Sequence, residues 1–110
     1  MRYLNNKTMQ ILKKIGGARI GSVNASWPFA TLKVEKEKME LKVLLLGKFI
    51  FLPKNIVSIE KYGRLPFFGW GIKINHNLKF NEKDIVFWTL GNPKNLIHKI
   101  EKIGFINAQL

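Results

Sequence analysis

The sequence predicts a mainly β (β+α) domain. It has seven antiparallel strands in a barrel or orthogonal sandwich, a C-terminal α-helix as cap and a short N-terminal helix. Three observations carry this. From Ser26 to Glu60, short runs of alternating apolar and polar residues are separated by charged or glycine-containing turns. The same period of two returns over residues 70–76 and 84–89. After these, residues 92–104 switch to a helical period, bracketed by Asn92-Pro93 and Gly104.

The chain has 110 residues, of which 46% are hydrophobic and 13 aromatic, enough for one core without covalent staples. Cysteine is absent, which excludes disulfides, thiolate zinc sites, iron–sulfur clusters and cysteine nucleophiles. The N-terminus lacks the apolar run of a signal peptide. The chain's longest apolar stretch, Leu41 to Leu52, is interrupted by Lys42 and Lys48 and falls short of the roughly 20 residues a spanning helix needs. The expected location is the cytoplasm.

Taken in order, residues 3–15 place Leu4, Thr8, Ile11, Leu12 and Ile15 near one helical face, and Gly16-Gly17 ends the pattern. Residues 1–17 are thus an N-terminal extension or short helix. It either packs on the domain or lies on a membrane surface. Arg19 to Val23 is a short strand, and Asn24 to Ser26 a turn. Pro28 has no N–H to donate, so Trp27-Pro28 is expected to interrupt the chain before a strand over Phe29 to Glu35. The third strand runs from Met39 to Leu46. Its Leu44-Leu45-Leu46 end loses the alternation and is expected to be covered on both faces. Gly47-Lys48 suits a hairpin turn with glycine at positive φ. Phe49 to Leu52 is apolar on both faces, Pro53 to Asn55 is a turn, and Ile56 to Lys61 is the fifth strand. Residues 62–69 form a loop of glycines and aromatics around a proline. Trp70, Ile72, Ile74 and His76 alternate with Gly71, Lys73 and Asn75 in the sixth strand, and Asp84 to Thr89 is the seventh. In the closing helix Asn92 caps, Pro93 takes the first turn, and Leu96, Ile97, Ile100 and Ile103 make an apolar stripe.

Seven strands closed by a helix resemble the pleckstrin-homology-like (PH-like) superfold. Ser26-Trp27-Pro28-Phe29-Ala30, Gly47 to Phe51, Ile56 to Ile59, Gly69 to His76, Ile85 to Trp88 and Gly104-Phe105 resemble small bacterial proteins of that type. The resemblance covers residues 18–106, within a PH-like domain of residues 18–110. It implies a fold that hosts lipid-binding, peptide-binding and structural roles. Lipid-binding members carry closely spaced basic residues on the first hairpin. Here no basic residue lies between Arg19 and Lys33, so the inositide motif is missing.

The net charge is +12. An anionic partner would explain it, and so would a compositional excess of lysine, which outnumbers arginine 16 to 3 and is spread along the chain. Arginine, the residue favoured for bidentate phosphate and base contacts, is scarce. No catalytic set is legible. His76 ends the sixth strand, His98 lies on the helix's polar side, and the seven carboxylates are mostly flanked by lysines. No cofactor, metal or small-molecule substrate is predicted. Gly69-Trp70-Gly71 has no phosphate-loop sequel.

The expectation is a non-enzymatic domain acting through protein contact or self-association, with Leu65, Phe67, Phe68 and Trp70 as the partner surface. The alternative is attachment to an anionic membrane through Lys7, Lys13, Lys14 and Arg19. Nucleic-acid binding, with Trp27, Trp70 and Trp88 as a stacking platform beside Phe67 and Phe68, is the third reading.

Overall fold

The structure is a computed structural model, and it describes residues 10–63, 70–79 and 84–107. Seven strands form one antiparallel sheet curled into a half-barrel. They are β1 (Leu12–Ile20), β2 (Val23–Val34), β3 (Met39–Val43), β4 (Gly47–Phe51), β5 (Ile56–Gly63), β6 (Trp70–His76) and β7 (Ile85–Thr89). The sheet order is β4-β3-β2-β1-β7-β6-β5. Helix α1 (Pro93–Ile103) follows β7 and packs on β5, β6 and β1.

The alternation read from the sequence decides which face is inside. Ala30, Leu32 and Val34 of β2, Met39, Leu41 and Val43 of β3, and Ile72 and Ile74 of β6 are all buried on the concave side. Phe51, Ile59, Ile85 and Phe87 complete the same cluster, and Leu96, Ile100 and Phe105 close it from the helix side. The helix ends are as the sequence predicts. The Asn92 side chain accepts a hydrogen bond from the Lys94 N–H at 2.9 Å. Gly104, at φ 95°, forms the left-handed C-cap.

Three expectations about the first third of the chain are overturned. The hairpin turn falls at Gly21-Ser22, so it splits the strand expected over Arg19 to Val23, and Asn24 to Ser26, expected as a turn, belong to β2. Residues 12–15 are strand, not helix, and the sheet begins inside the predicted extension; residues 3–9 of that helix lie outside the described residues. Gly16 and Gly17 stand in the middle of β1, because tertiary contacts leave no room there for a side chain. A Cβ on Gly16 would strike the Trp88 carbonyl and the Phe87 ring. One on Gly17 would lie 2.6 Å from the Ala25 oxygen.

The third correction concerns Pro28. Strand β2 runs straight through it, in a central position of the sheet. Gly16 pairs with Ala30 and Ala18 with Ala25, so residues 26–29 arch over the single residue Gly17 as a bulge. Pro28, after a cis peptide, stands in that arch, where no ladder bond is required of it.

Candidate functional site

The register places the outward side chains of β1 to β4 in cross-strand rows. Lys13 lies opposite Lys33, Lys33 opposite Glu40, and Glu40 opposite Ile50. In the next row Ile15 lies opposite Thr31, Thr31 opposite Lys42, and Lys42 opposite Lys48. Two rows across four strands therefore hold four lysines and one glutamate. Neighbouring strands are about 4.8 Å apart, so the four lysines occupy a patch roughly 14 Å wide. Lys48, itself exposed, reaches the half-buried Glu40 at 4.0 Å, the limit of an ion pair, so one carboxylate faces four lysines.

One step further along the same face the surface turns apolar. The Leu44 N–H donates to the Phe29 carbonyl at 2.9 Å, which extends the β2–β3 ladder to the hairpin tip. Phe29 is 48% exposed, Trp27 in the same bulge 53%, and Leu44, Leu45 and Leu46 are 57%, 95% and 40% exposed. The leucine triplet is thus not covered on either face, contrary to the sequence expectation. It forms the β3–β4 turn itself. Leu45 adopts φ 70°, the left-handed region that a bulky side chain rarely enters. Gly47 has the expected positive φ, but Gly47 and Lys48, expected to be the turn, instead open β4.

The outer face of the other half-sheet has a different character. Arg19, Val86, Lys73 and Glu60 follow one another across β1, β7, β6 and β5. Lys73 pairs with Asp84 at 3.7 Å. Asn75 donates to Ser58 at 2.8 Å, and Ser58 to Glu60 at 3.1 Å. Arg19 lies 5.3 Å from the centre of the Tyr62 ring and donates to the Tyr62 hydroxyl at 3.1 Å. Tyr62 and Trp88 pack at 5.8 Å, and the Trp88 Nε1 donates to the Asn24 Oδ1 at 2.8 Å. Opposite charges neutralise one another here, and the aromatic groups are tied into the fold.

The four basic residues predicted as anionic-surface contacts are not brought together. Lys13 alone joins the lysine patch. Lys14 is half-buried and falls on the core-facing parity of β1, with Leu12. Arg19 is held against Tyr62, and Lys7 lies outside the described residues. Of the predicted partner surface, Leu65, Phe67 and Phe68 lie outside the described residues. Trp70 is 40% exposed, and its ring crowds Gly63. The three tryptophans stand on different elements. Trp27 lies in the β2 bulge, Trp88 packs against Tyr62, and Trp70 begins β6.

Sequence reasoning missed Lys33, Lys42 and Lys48 as a group. Lys33 and Lys42 were legible as outward strand positions, while Lys48, expected in a hairpin turn, lies in β4. Their convergence depends on a register that runs through the β2 bulge and the leucine turn, which no local signal specifies.

The histidines have structural settings. His76 accepts a hydrogen bond at Nδ1 from the Leu78 N–H at 3.2 Å, and its ring packs 5.4 Å from Phe51. His98 is exposed on α1. Among the described residues no three acidic or histidine side chains gather as metal ligands. None of the described helices is long and apolar enough to cross a membrane.

Comparison of the chain with known protein families, curated proteins and solved structures gives no match.

Proposed function

We propose that this chain is a non-enzymatic, PH-like binding domain that attaches peripherally to anionic membrane surfaces through the outer face of β1–β4. The observation that carries the reading is the paired rows Lys13–Lys33 and Lys42–Lys48, faced by Glu40 alone. The sheet order with a helix after β7 supports the PH-like assignment. The site differs from the inositide motif of the first hairpin, which this sequence lacks.

Charge and geometry favour a lipid surface over the other readings. Lysines gathered on one outer face suit a diffuse anionic surface, and bidentate recognition of single phosphates would call for arginine. At about 1 kcal/mol per lysine near an anionic leaflet, four lysines less one glutamate contribute roughly 3 kcal/mol, about a hundredfold in partitioning. Protein contact, the second reading, draws on β4 and β5, which end the sheet order. Self-association through them works against the +12 charge that every copy carries.

Sedimentation with phosphatidylcholine vesicles, with and without phosphatidylserine, tests the proposal. Binding at physiological salt is expected only with phosphatidylserine, and the double change Lys42→Glu, Lys48→Glu should reduce it by at least tenfold. Equal binding to both vesicle types, or to neither, would overturn it.

A further inference from the structure

The lysine rows account for attraction to a charged plane but not for the apolar end of the same face. Leu45 is 95% exposed and held at φ 70°. A turn at that position is easier to build with glycine or asparagine, and a fully exposed leucine contributes no packing in return. Leu44 and Leu46 flank it, and Phe29 lies beside Leu44 across the ladder. Trp27 protrudes from the bulge whose close approach to Gly17 excludes any side chain there. Five large apolar side chains thus stand exposed at the β3–β4 tip and the adjoining β2 bulge. Along β3, Leu44 is two residues beyond Lys42, a rise of roughly 7 Å.

We infer that the β3–β4 tip, Leu44-Leu45-Leu46, with Trp27 and Phe29 of the β2 bulge, inserts into the acyl boundary of an anionic bilayer. This rests on the proposed membrane-facing role of the lysine rows. The charges select the occupant: an apolar tip backed by Lys42 and Lys48, then Lys13 and Lys33, matches the layering of a leaflet, with hydrocarbon beneath anionic headgroups. Apolar faces that bind the interface sink about 5–10 Å into it, so a 7 Å offset leaves the lysines at headgroup depth. Tryptophan suits the same boundary because its ring is apolar and its N–H polar. A second copy of the chain is the poorer occupant, since it would bring identical lysine rows together.

The absence of cysteine permits a direct test. Leu45→Cys and, as a control on exposed Val57 of β5, Val57→Cys each carry a single environment-sensitive fluorophore. Both are mixed with phosphatidylcholine–phosphatidylserine vesicles, with and without acyl-chain bromination. The expected result is a blue shift and bromine quenching at position 45 and neither at position 57. Unlabelled Leu45→Asp should lower the partition coefficient roughly tenfold while its thermal midpoint holds or rises, because the replaced side chain packs on almost nothing. Part of the wild-type binding should also survive about 1 M salt, where the screening length is only about 3 Å.

Binding that is lost at that salt concentration, with no shift at position 45, would overturn insertion and leave the electrostatic reading standing. No sedimentation with either vesicle type would overturn both. A tip that drives concentration-dependent dimers in light scattering, abolished by Leu45→Asp, would assign it to self-association and overturn the bilayer as its occupant.

Discussion

Leu45→Asn separates what the β3–β4 tip does for folding from what it does at a surface. In the folded chain Leu45 holds φ 70° with 95% of its surface exposed. Left-handed backbone costs an ordinary L-residue about 1–2 kcal/mol, and asparagine tolerates it far better. Full burial of a leucine is worth about 1.5–3 kcal/mol, so the one-twentieth that is covered here contributes only about 0.1 kcal/mol. Asparagine also avoids the extra unfolded-state entropy that glycine would bring. The substitution should therefore stabilise the domain by about 1 kcal/mol, or about 4 °C in thermal midpoint for a chain of this size. Urea and thermal unfolding followed by far-UV circular dichroism measure it, with Leu45→Ala as the control. Alanine removes the side chain but keeps the backbone strain, so its stability should stay near wild type. An unchanged midpoint in Leu45→Asn would refute the strain argument. A loss of about 1 kcal/mol would mean that the leucine packs against the fold. The expected combination, a more stable protein that binds vesicles more weakly, is the signature of a residue kept for its surface role.

Two further outcomes test the fold. Gly71→Ala would drive a Cβ into the Phe87 carbonyl and to 3.1 Å from the Trp88 ring, so it should cost about 1–3 kcal/mol and change the near-UV circular dichroism. Asn92→Ala removes the acceptor of the Lys94 N–H and should lower stability by about 1 kcal/mol in urea titration without altering vesicle binding.

The legible parts of the fold are those where local chemistry and tertiary environment agree. Leu32, Val34, Leu41 and Val43 face the core in the alternation that the sequence displays, and Leu96 and Ile100 do so at helical spacing. Asn92, Pro93 and Gly104 mark the helix ends through their own backbone preferences. The misread parts are those where a distant strand decides. Gly16 and Gly17 look like a helix stop, yet they are strand positions stripped of side chains by Trp88, Phe87 and the β2 bulge. Pro28 looks like a strand end, yet the bulge absorbs its missing donor. Leu44 to Leu46 look like a buried segment because hydrophobicity alone does not distinguish a core from a protruding tip.

The candidate site divides along the same line. Lysine excess, arginine scarcity and the absence of cysteine are properties of composition, and they narrow the chemistry before any fold is known. The sequence by itself determined the mainly β class, the inward residues of β2, β3 and β6 and the capping helix, because periodicity and capping are local. Only the tertiary structure decided that Lys13, Lys33, Lys42 and Lys48 share one face behind an apolar tip. The physical reason is register. A sheet aligns residues far apart in the chain through turns and bulges, and a slip of one residue would turn every one of these side chains to the other face.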